Sequence, residues 1–263
     1  MSAAAPIAGA APRMPQYMLW VGLPAYNEEA SIPPLFARFL EVFPDRSVPY
    51  RIVLYNDGCR DGTVAAARAW SDRLNVEIIG RDENLGLGAG LRALIAHAVR
   101  HGRPEDRLFI MDCDDTHHPS QFPQLTAALD DGCDVVIASR YRRGARVAGV
   151  AAHRRLLSLG AALLFKTLHP CRGVLDYTCG YRGYRVAVLA RAAAHYGENL
   201  VREPGFASMV EVLLKLNRLG ARCTEVPLEL RYDLKQGASK MDVGGNTLRL
   251  LRKLVSWRLR GLK

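Results

Sequence analysis

From Tyr17 onward the chain alternates short apolar runs with longer stretches of helical periodicity, and that alternation leaves few folds open. Strands separated by helices pair in parallel, because a parallel neighbour needs a crossover of a dozen residues or more. Strands are expected at Met18–Leu23, Tyr50–Tyr55, Val76–Gly80, Arg107–Met111 and Asp134–Ala138, three of which give way at once to Pro24, Asn56 and Asp112. Helices are expected at Ala30–Val42, Gly62–Leu74, Gly86–His101 and Pro119–Ala128. The fold class is therefore α/β, a mainly parallel sheet flanked by helices, and the polar clusters fall at the carboxyl edge, where open sheets of this kind bind ligands. At 263 residues the chain fits one such domain. After Arg140 the rhythm changes to a Gly- and Arg-containing connector, an amphipathic helix over Ala152–Leu168 and another over Phe206–Leu219.

The sharpest cluster is Asp112-Cys113-Asp114-Asp115-Thr116-His117-His118-Pro119, an acidic triplet closing an apolar strand. Hard divalent cations take oxygen ligands, and Mg²⁺ or Mn²⁺ is commonly shared between one or two carboxylates and substrate phosphates. Asp112 and Asp114 fit that role. Asp115 or Thr116 capping the next helix is the plainer alternative, and His117 and His118 read as surface or core histidines rather than ligands.

The first strand ends in Pro24-Ala25-Tyr26-Asn27-Glu28-Glu29, where Tyr26 is placed to cover a nucleobase, or where Asn27 caps a helix with Glu28 and Glu29 in its first turn. After the second strand, Asn56-Asp57-Gly58-Cys59-Arg60-Asp61-Gly62 puts Asp57 where a base or ribose would meet it, in a turn that needs Gly and Asp in any case. Asn84-Leu85-Gly86-Leu87-Gly88 is Gly-rich but lacks the phosphate-loop lysine. Cations follow in Ser139-Arg140-Tyr141-Arg142-Arg143, Asp176-Tyr177-Thr178-Cys179-Gly180-Tyr181-Arg182 and Lys235-Gln236-Gly237-Ala238-Ser239-Lys240, suited to phosphate or to solvent.

Taken in order from about Leu19 to Lys240, these segments resemble the family-2 glycosyltransferases of GT-A (Rossmann-like) fold, in the branch of dolichol-phosphate mannose synthase and bacterial polyprenol-phosphate glycosyltransferases. The resemblance implies an inverting, metal-dependent hexosyltransferase that takes mannose or glucose from a GDP- or UDP-sugar to a polyprenyl phosphate. It implies that Pro24, Tyr26, Glu28 and Asp57 hold the nucleotide and that Asp112 and Asp114 share a divalent metal with the diphosphate. By the same resemblance Cys113 touches the donor through its backbone, and Arg140, Arg182, Lys235, Ser239 and Lys240 serve donor or acceptor phosphate. Asn56 and Thr116 depart from the family's usual VDDGS and DADLQH patterns, and Leu234 stands where an Arg is often found. A soluble acceptor is the alternative; Asp114, Asp115 or another carboxylate would then take its hydroxyl proton.

The net charge of +10 predicts attraction to polyanions. No helix-turn-helix, RRM or KH signature accompanies it, so nucleic acid is not expected. Residues 1–16, rich in Ala and Pro, are expected to be a flexible leader before a catalytic domain over 17–240, and six cysteines without metal spacing suit a reducing, cytoplasmic setting. The longest apolar stretch, Leu156–Phe165, is broken by Ser158 and Gly160 and falls short of the roughly 18–20 residues a membrane span requires. Residues 241–263 instead form a basic amphipathic helix: Leu248, Leu251, Val255, Leu259 and Leu262 share one stripe, flanked by Leu250, Leu254 and Trp257, among six cations and no acid after Leu248. That pattern suits the anionic cytoplasmic face of a membrane, and equally a helix packed on its own domain.

Overall fold

A computed structural model of the chain describes residues 17–44, 49–148, 160, 162–231 and 243–262. Strands β1 (Leu19–Ala25), β2 (Tyr50–Asp57), β3 (Val76–Arg81), β4 (Arg107–Ile110) and β5 (Val135–Ser139) all occur within two residues of their expected bounds. They belong to a seven-stranded sheet of order β3-β2-β1-β4-β7-β5-β8, with β7 (Arg182–Arg185) antiparallel to both β4 and β5 and β8 (Cys223–Pro227) parallel to β5. β1 and β4 are apolar on both faces, as parallel strands covered by helices must be. Two short strands, β6 (Arg146–Ala148) and β9 (Glu229–Arg231), pair in parallel beside the cavity described below, and a bridge between His117 and Leu230 ties them to the main sheet's edge.

Helix α1 (Ile32–Val42) buries Ile32, Leu35, Phe36 and Phe39, the i, i+3, i+4, i+7 stripe of an amphipathic helix. Phe39, Phe43, Tyr50, Phe122 and Phe109 form a chain of stacked rings beneath it, the closest pair being Phe43 and Tyr50 at 4.1 Å. Helix α2 (Thr63–Arg68) is shorter than expected; the chain continues to Leu74 in hydrogen-bonded turns. Helices α3 (Leu87–His101) and α4 (Phe122–Asp130) follow, the latter after a 3-10 turn over Pro119–Gln121. Helices α5 (Val186–Tyr196) and α6 (Ala207–Arg218) pack against α3, and α7 (Val243–Arg260) packs on α6. Of the helix expected over Ala152–Leu168, the described residues 160 and 162–168 are helical.

β7 is the element the apolar pattern conceals, because its sequence is Arg-Gly-Tyr-Arg. Its antiparallel course matters for the site. The parallel strands end at the carboxyl edge, whereas β7 begins there, so Thr178 to Gly180 arrive beside the loops that follow β1, β2, β4 and β5.

The Gly-rich turn before α3 has a packing purpose. Gly88 donates its N–H to the Pro204 carbonyl at 2.8 Å, and a Cβ at Gly88 would lie 1.9 Å from the Glu203 carbonyl oxygen. Gly86, at φ 85°, lies against the same segment. That segment is held from below by Glu211, whose carboxylate accepts the N–H groups of Arg202 and Glu203 at 2.8 and 2.9 Å and pairs with buried Lys215 at 2.7 Å. Gly88→Ala should therefore cost about 1–3 kcal/mol by overpacking, read as a fall in Tm, whereas Gly205→Ala, whose Cβ meets nothing within 4 Å, should leave Tm unchanged.

Candidate active site

The carboxyl edge opens into a cavity of about 510 Å³, lined by Pro24, Tyr26, Glu28, Asp57, Asp112, Cys113, Asp114 and Arg140, all expected from sequence, together with Tyr55, Thr116, His117, Thr178, Gly180 and Met209 among others. Its size suits a ligand larger than a simple sugar.

The loops after β1 and β2 are laced together. Asn27, at φ 55°, accepts the Arg60 N–H through its side chain at 2.8 Å, and Glu29 accepts the Gly62 N–H at 2.9 Å. The Glu28 N–H donates to Thr63 Oγ1 at 2.7 Å, and Ser31 Oγ donates to Glu28 Oε2 at 3.1 Å. Asn27 is thus a bridge between loops, and the helix it was expected to cap begins at Ile32. Tyr26 is 39% exposed at the rim. Asp57 is buried, and its two carboxylate oxygens accept the N–H groups of Leu85 and Gly86 at 2.9 Å each, so it shapes the wall that the Gly-rich turn presents.

The acidic triplet divides. Asp112 stands half-exposed in the cavity, its backbone N–H donating to His117 Nδ1 at 3.1 Å. That bond leaves the His117 proton on Nε2. Asp114 Oδ1 accepts both the N–H and the hydroxyl of Thr116, at 3.2 and 2.6 Å. Asp115, at φ 63°, turns away into the protein and pairs with Arg38 at 3.1 Å; burial raises its pKa although Arg38 opposes the shift. It does not line the cavity, which removes it as a proton acceptor there. Neither Asp115 nor Thr116 caps the following turn; His118 does so, accepting the Ser120 N–H at 3.1 Å. Burial pushes the Cys113 thiol well above its ordinary value, so it stays protonated. His117 is more than a bystander, since it lines the cavity and stacks at 5.1 Å on Tyr181.

One correction concerns a cation. Arg182, expected at phosphate, is wholly buried. Its Nε, NH1 and NH2 donate to the carbonyls of Cys179, Met209 and Tyr177 at 2.8, 2.5 and 2.7 Å, leaving nothing for a ligand. Arg140 does reach the cavity, but its guanidinium forks onto Asp176, with Nε to Oδ2 at 2.8 Å and NH2 to Oδ1 at 2.6 Å. Burial would lower the Arg140 pKa and raise that of Asp176, yet their mutual attraction outweighs it in both, keeping both charged. Asp176 was visible only as part of a polar motif; no spacing rule marks a buried carboxylate as the partner of an arginine 36 residues earlier. Lys235, Ser239 and Lys240 lie outside the described residues.

Among the described residues no three His, Cys, Asp or Glu side chains close around a point. Asp112 and Asp114 both line the cavity and offer oxygen donors of the kind that hard divalent ions take. Replacing Arg182 by Met would strand the buried carbonyls of Tyr177 and Cys179, at about 1–3 kcal/mol each. Urea unfolding of Arg182→Met should show a large loss of stability.

The glycosyl transferase family 2 profile matches residues 20–192. The chain is 31% identical over 241 residues to polyprenol monophosphomannose synthase of Mycolicibacterium smegmatis, covering 91% of this chain and 86% of that protein. It is 30% identical to undecaprenyl-phosphate mannosyltransferase of Micrococcus luteus, covering 84% of this chain and 86% of that one. Dolichol-phosphate mannosyltransferase of Pyrococcus furiosus is 29% identical over 89% of this chain but only 63% of its own length. Among solved structures, glucosyl-3-phosphoglycerate synthase from Mycobacterium tuberculosis, in complex with Mn²⁺, UDP and glucosyl-3-phosphoglycerate, superposes with a TM-score of 0.67 at 22% identity, over 92% of this chain and 80% of that one. The shared architecture is the GT-A fold. With the family profile spanning most of the chain and a relative 31% identical over 91% of it, this protein belongs to glycosyltransferase family 2.

Proposed function

We propose that this glycosyltransferase moves a hexosyl group, mannose or glucose, from a GDP- or UDP-sugar to a polyprenyl phosphate, with inversion at the anomeric carbon. The observation that carries this reading is the meeting of Asp112, Asp114 and Arg140 in one cavity that Tyr26 and the Asp57-anchored turn also line. Relatives named for mannosyl transfer to polyprenyl-type phosphates support the donor and acceptor classes. In the reaction an acceptor phosphate oxygen forms a bond to the anomeric carbon while the bond from that carbon to the diphosphate oxygen breaks, the electron pair leaving with the nucleoside diphosphate. An acceptor already ionised requires no base, which agrees with the diversion of Asp115 to Arg38.

A magnesium or manganese ion would be held by Asp112 and Asp114, where it would supply positive charge to the diphosphate. Thr116 orients Asp114 through its hydroxyl, and His117 anchors the backbone of Asp112. Tyr26 is positioned to cover the base, Pro24 and Glu28 to bound the nucleotide, and Arg140 to meet a phosphate.

The C-terminal helix supports a peripheral membrane setting. Leu250, Leu254 and Trp257 are buried against the domain, while Val255 and Leu259 face out at 49% and 79% exposure, among Arg249, Arg252 and Arg258. Nearby, Leu163 is 65% exposed on a helical stretch joined to α7 by His169 Nε2 at 3.0 Å from the Leu254 carbonyl oxygen. No helix among the described residues is long and apolar enough to cross a membrane. Exposed leucines ringed by cations suit an anionic bilayer surface, to which each cation contributes roughly 1 kcal/mol before screening.

Two measurements test this. Asp112→Asn and Asp114→Asn should each abolish the manganese-dependent thermal stabilisation given by GDP-mannose or UDP-glucose, with the unliganded Tm nearly unchanged; intact stabilisation would sink the metal assignment. Val255→Gln with Leu259→Gln should weaken co-sedimentation with anionic liposomes at both low and high salt, sparing donor binding. Unchanged sedimentation, with full activity on a soluble acceptor, would favour the soluble alternative.

A further inference from the structure

Arg140 is not left to sample rotamers. Asp176 accepts its backbone N–H at 3.0 Å as well as the forked pair from its guanidinium, and Thr178 Oγ1 accepts from the same NH2 at 2.5 Å. NH1 is the one guanidinium nitrogen to which the described residues offer no hydrogen-bond acceptor, on a side chain that lines the cavity.

Asp176 is itself immobilised. It is wholly buried; its Oδ1 also accepts the N–H groups of Thr178 and Cys179, at 3.3 and 3.0 Å, and its own N–H donates to buried Glu225 Oε1 at 2.5 Å. A carboxylate removed from water and surrounded by this many donors holds a planar fork in one orientation. The ion pair is neutral as a unit, so it brings little excess charge to the cavity. What it contributes is a donor edge aimed before any ligand arrives, its rotamer freedom already spent.

We propose that Asp176, seated by Thr178 and Glu225, is a positioning residue for glycosyl transfer, fixing the Arg140 guanidinium so that its NH1 edge meets a phosphate oxygen of the donor diphosphate or of the acceptor. This rests on the reading that Arg140 meets phosphate. It also separates geometry from charge: a lysine at position 140 keeps the cation but cannot donate the fork to Asp176, and should fail almost as badly as alanine.

The experiment uses the full chain and steady-state kinetics, varying GDP-mannose (or UDP-glucose) and a short polyprenyl phosphate separately, below each variant's Tm and normalised to folded protein. Asp176→Asn should lower kcat/KM by roughly 10²-fold, the scale of an ångström's misplacement. A rise confined to the KM for the sugar nucleotide assigns NH1 to the donor; one confined to the KM for the lipid phosphate assigns it to the acceptor. Thr178→Val should show the same pattern more weakly, and it serves as the test if Asp176→Asn does not fold. In an Arg140→Ala background Asp176→Asn should add no further loss. Normal kinetics in folded Asp176→Asn, or in Thr178→Val where that variant must serve, overturn the proposal, as do losses that multiply in the double variant or an active Arg140→Lys. Parent-like kinetics in Arg140→Ala would instead remove the phosphate role of Arg140, on which the proposal stands.

Discussion

The guanidinium of Arg182 ties three pieces of chain into one wall. By donating to the carbonyls of Tyr177, Cys179 and Met209 it joins the loop before β7 to the start of α6, and Thr178, Gly180 and Met209 then face the cavity together. Buried polar groups are tolerated only when satisfied, and here one cation satisfies the Tyr177 and Cys179 carbonyls and adds a second donor to the helical carbonyl of Met209. Arg140 depends on that wall, because Asp176 and Thr178, which orient it, sit on the same loop. Gly180 depends on it as well: a Cβ there would lie 3.2 Å from Asp112 Oδ1, so the loop approaches the acidic strand end as closely as glycine allows.

The opposite wall follows a similar logic with the charges reversed. Asp57 gathers the N–H groups of the Gly-rich turn, and Glu211 gathers those of Arg202 and Glu203, the segment pressed against Gly86 and Gly88. Each carboxylate replaces backbone hydrogen bonds that a turn would otherwise lose to water. Lys253 of α7 reaches Glu203 at 2.8 Å, so the C-terminal helix leans on the segment that continues into Gly205 and Phe206 at the cavity rim. That helix packs inward by Leu250, Leu254 and Trp257 and leaves Val255 and Leu259 facing outward.

Much was legible in the residues alone. Continuous apolar runs marked β1, β2, β4 and β5, and the polar residues ending them had to gather at one edge, because parallel strands all end on the same side. Pro24, Tyr26, Glu28, Asp57, Asp112, Cys113, Asp114 and Arg140 lie in the clusters at that edge and were implied as site residues by the family resemblance, and all eight line the cavity. The resemblance in order and spacing indicated the family, and the profile match agrees.

What the sequence by itself determined, then, was the sheet, its edge and the chemistry available there, since these follow from local period and turn composition. Which carboxylates of the triplet line the cavity, which arginine reaches it and which is a buried strut, and that Asp176 pairs with Arg140, were decided only by the tertiary structure. The reason is that such roles arise from contacts between residues far apart in sequence: Asp115 turns to Arg38, and Arg182 is enclosed because an antiparallel strand carries it between β4 and β5. A charged side chain reads the same in a sequence whether it ends in solvent, at a phosphate or under a sheet, and only burial and partners tell these apart.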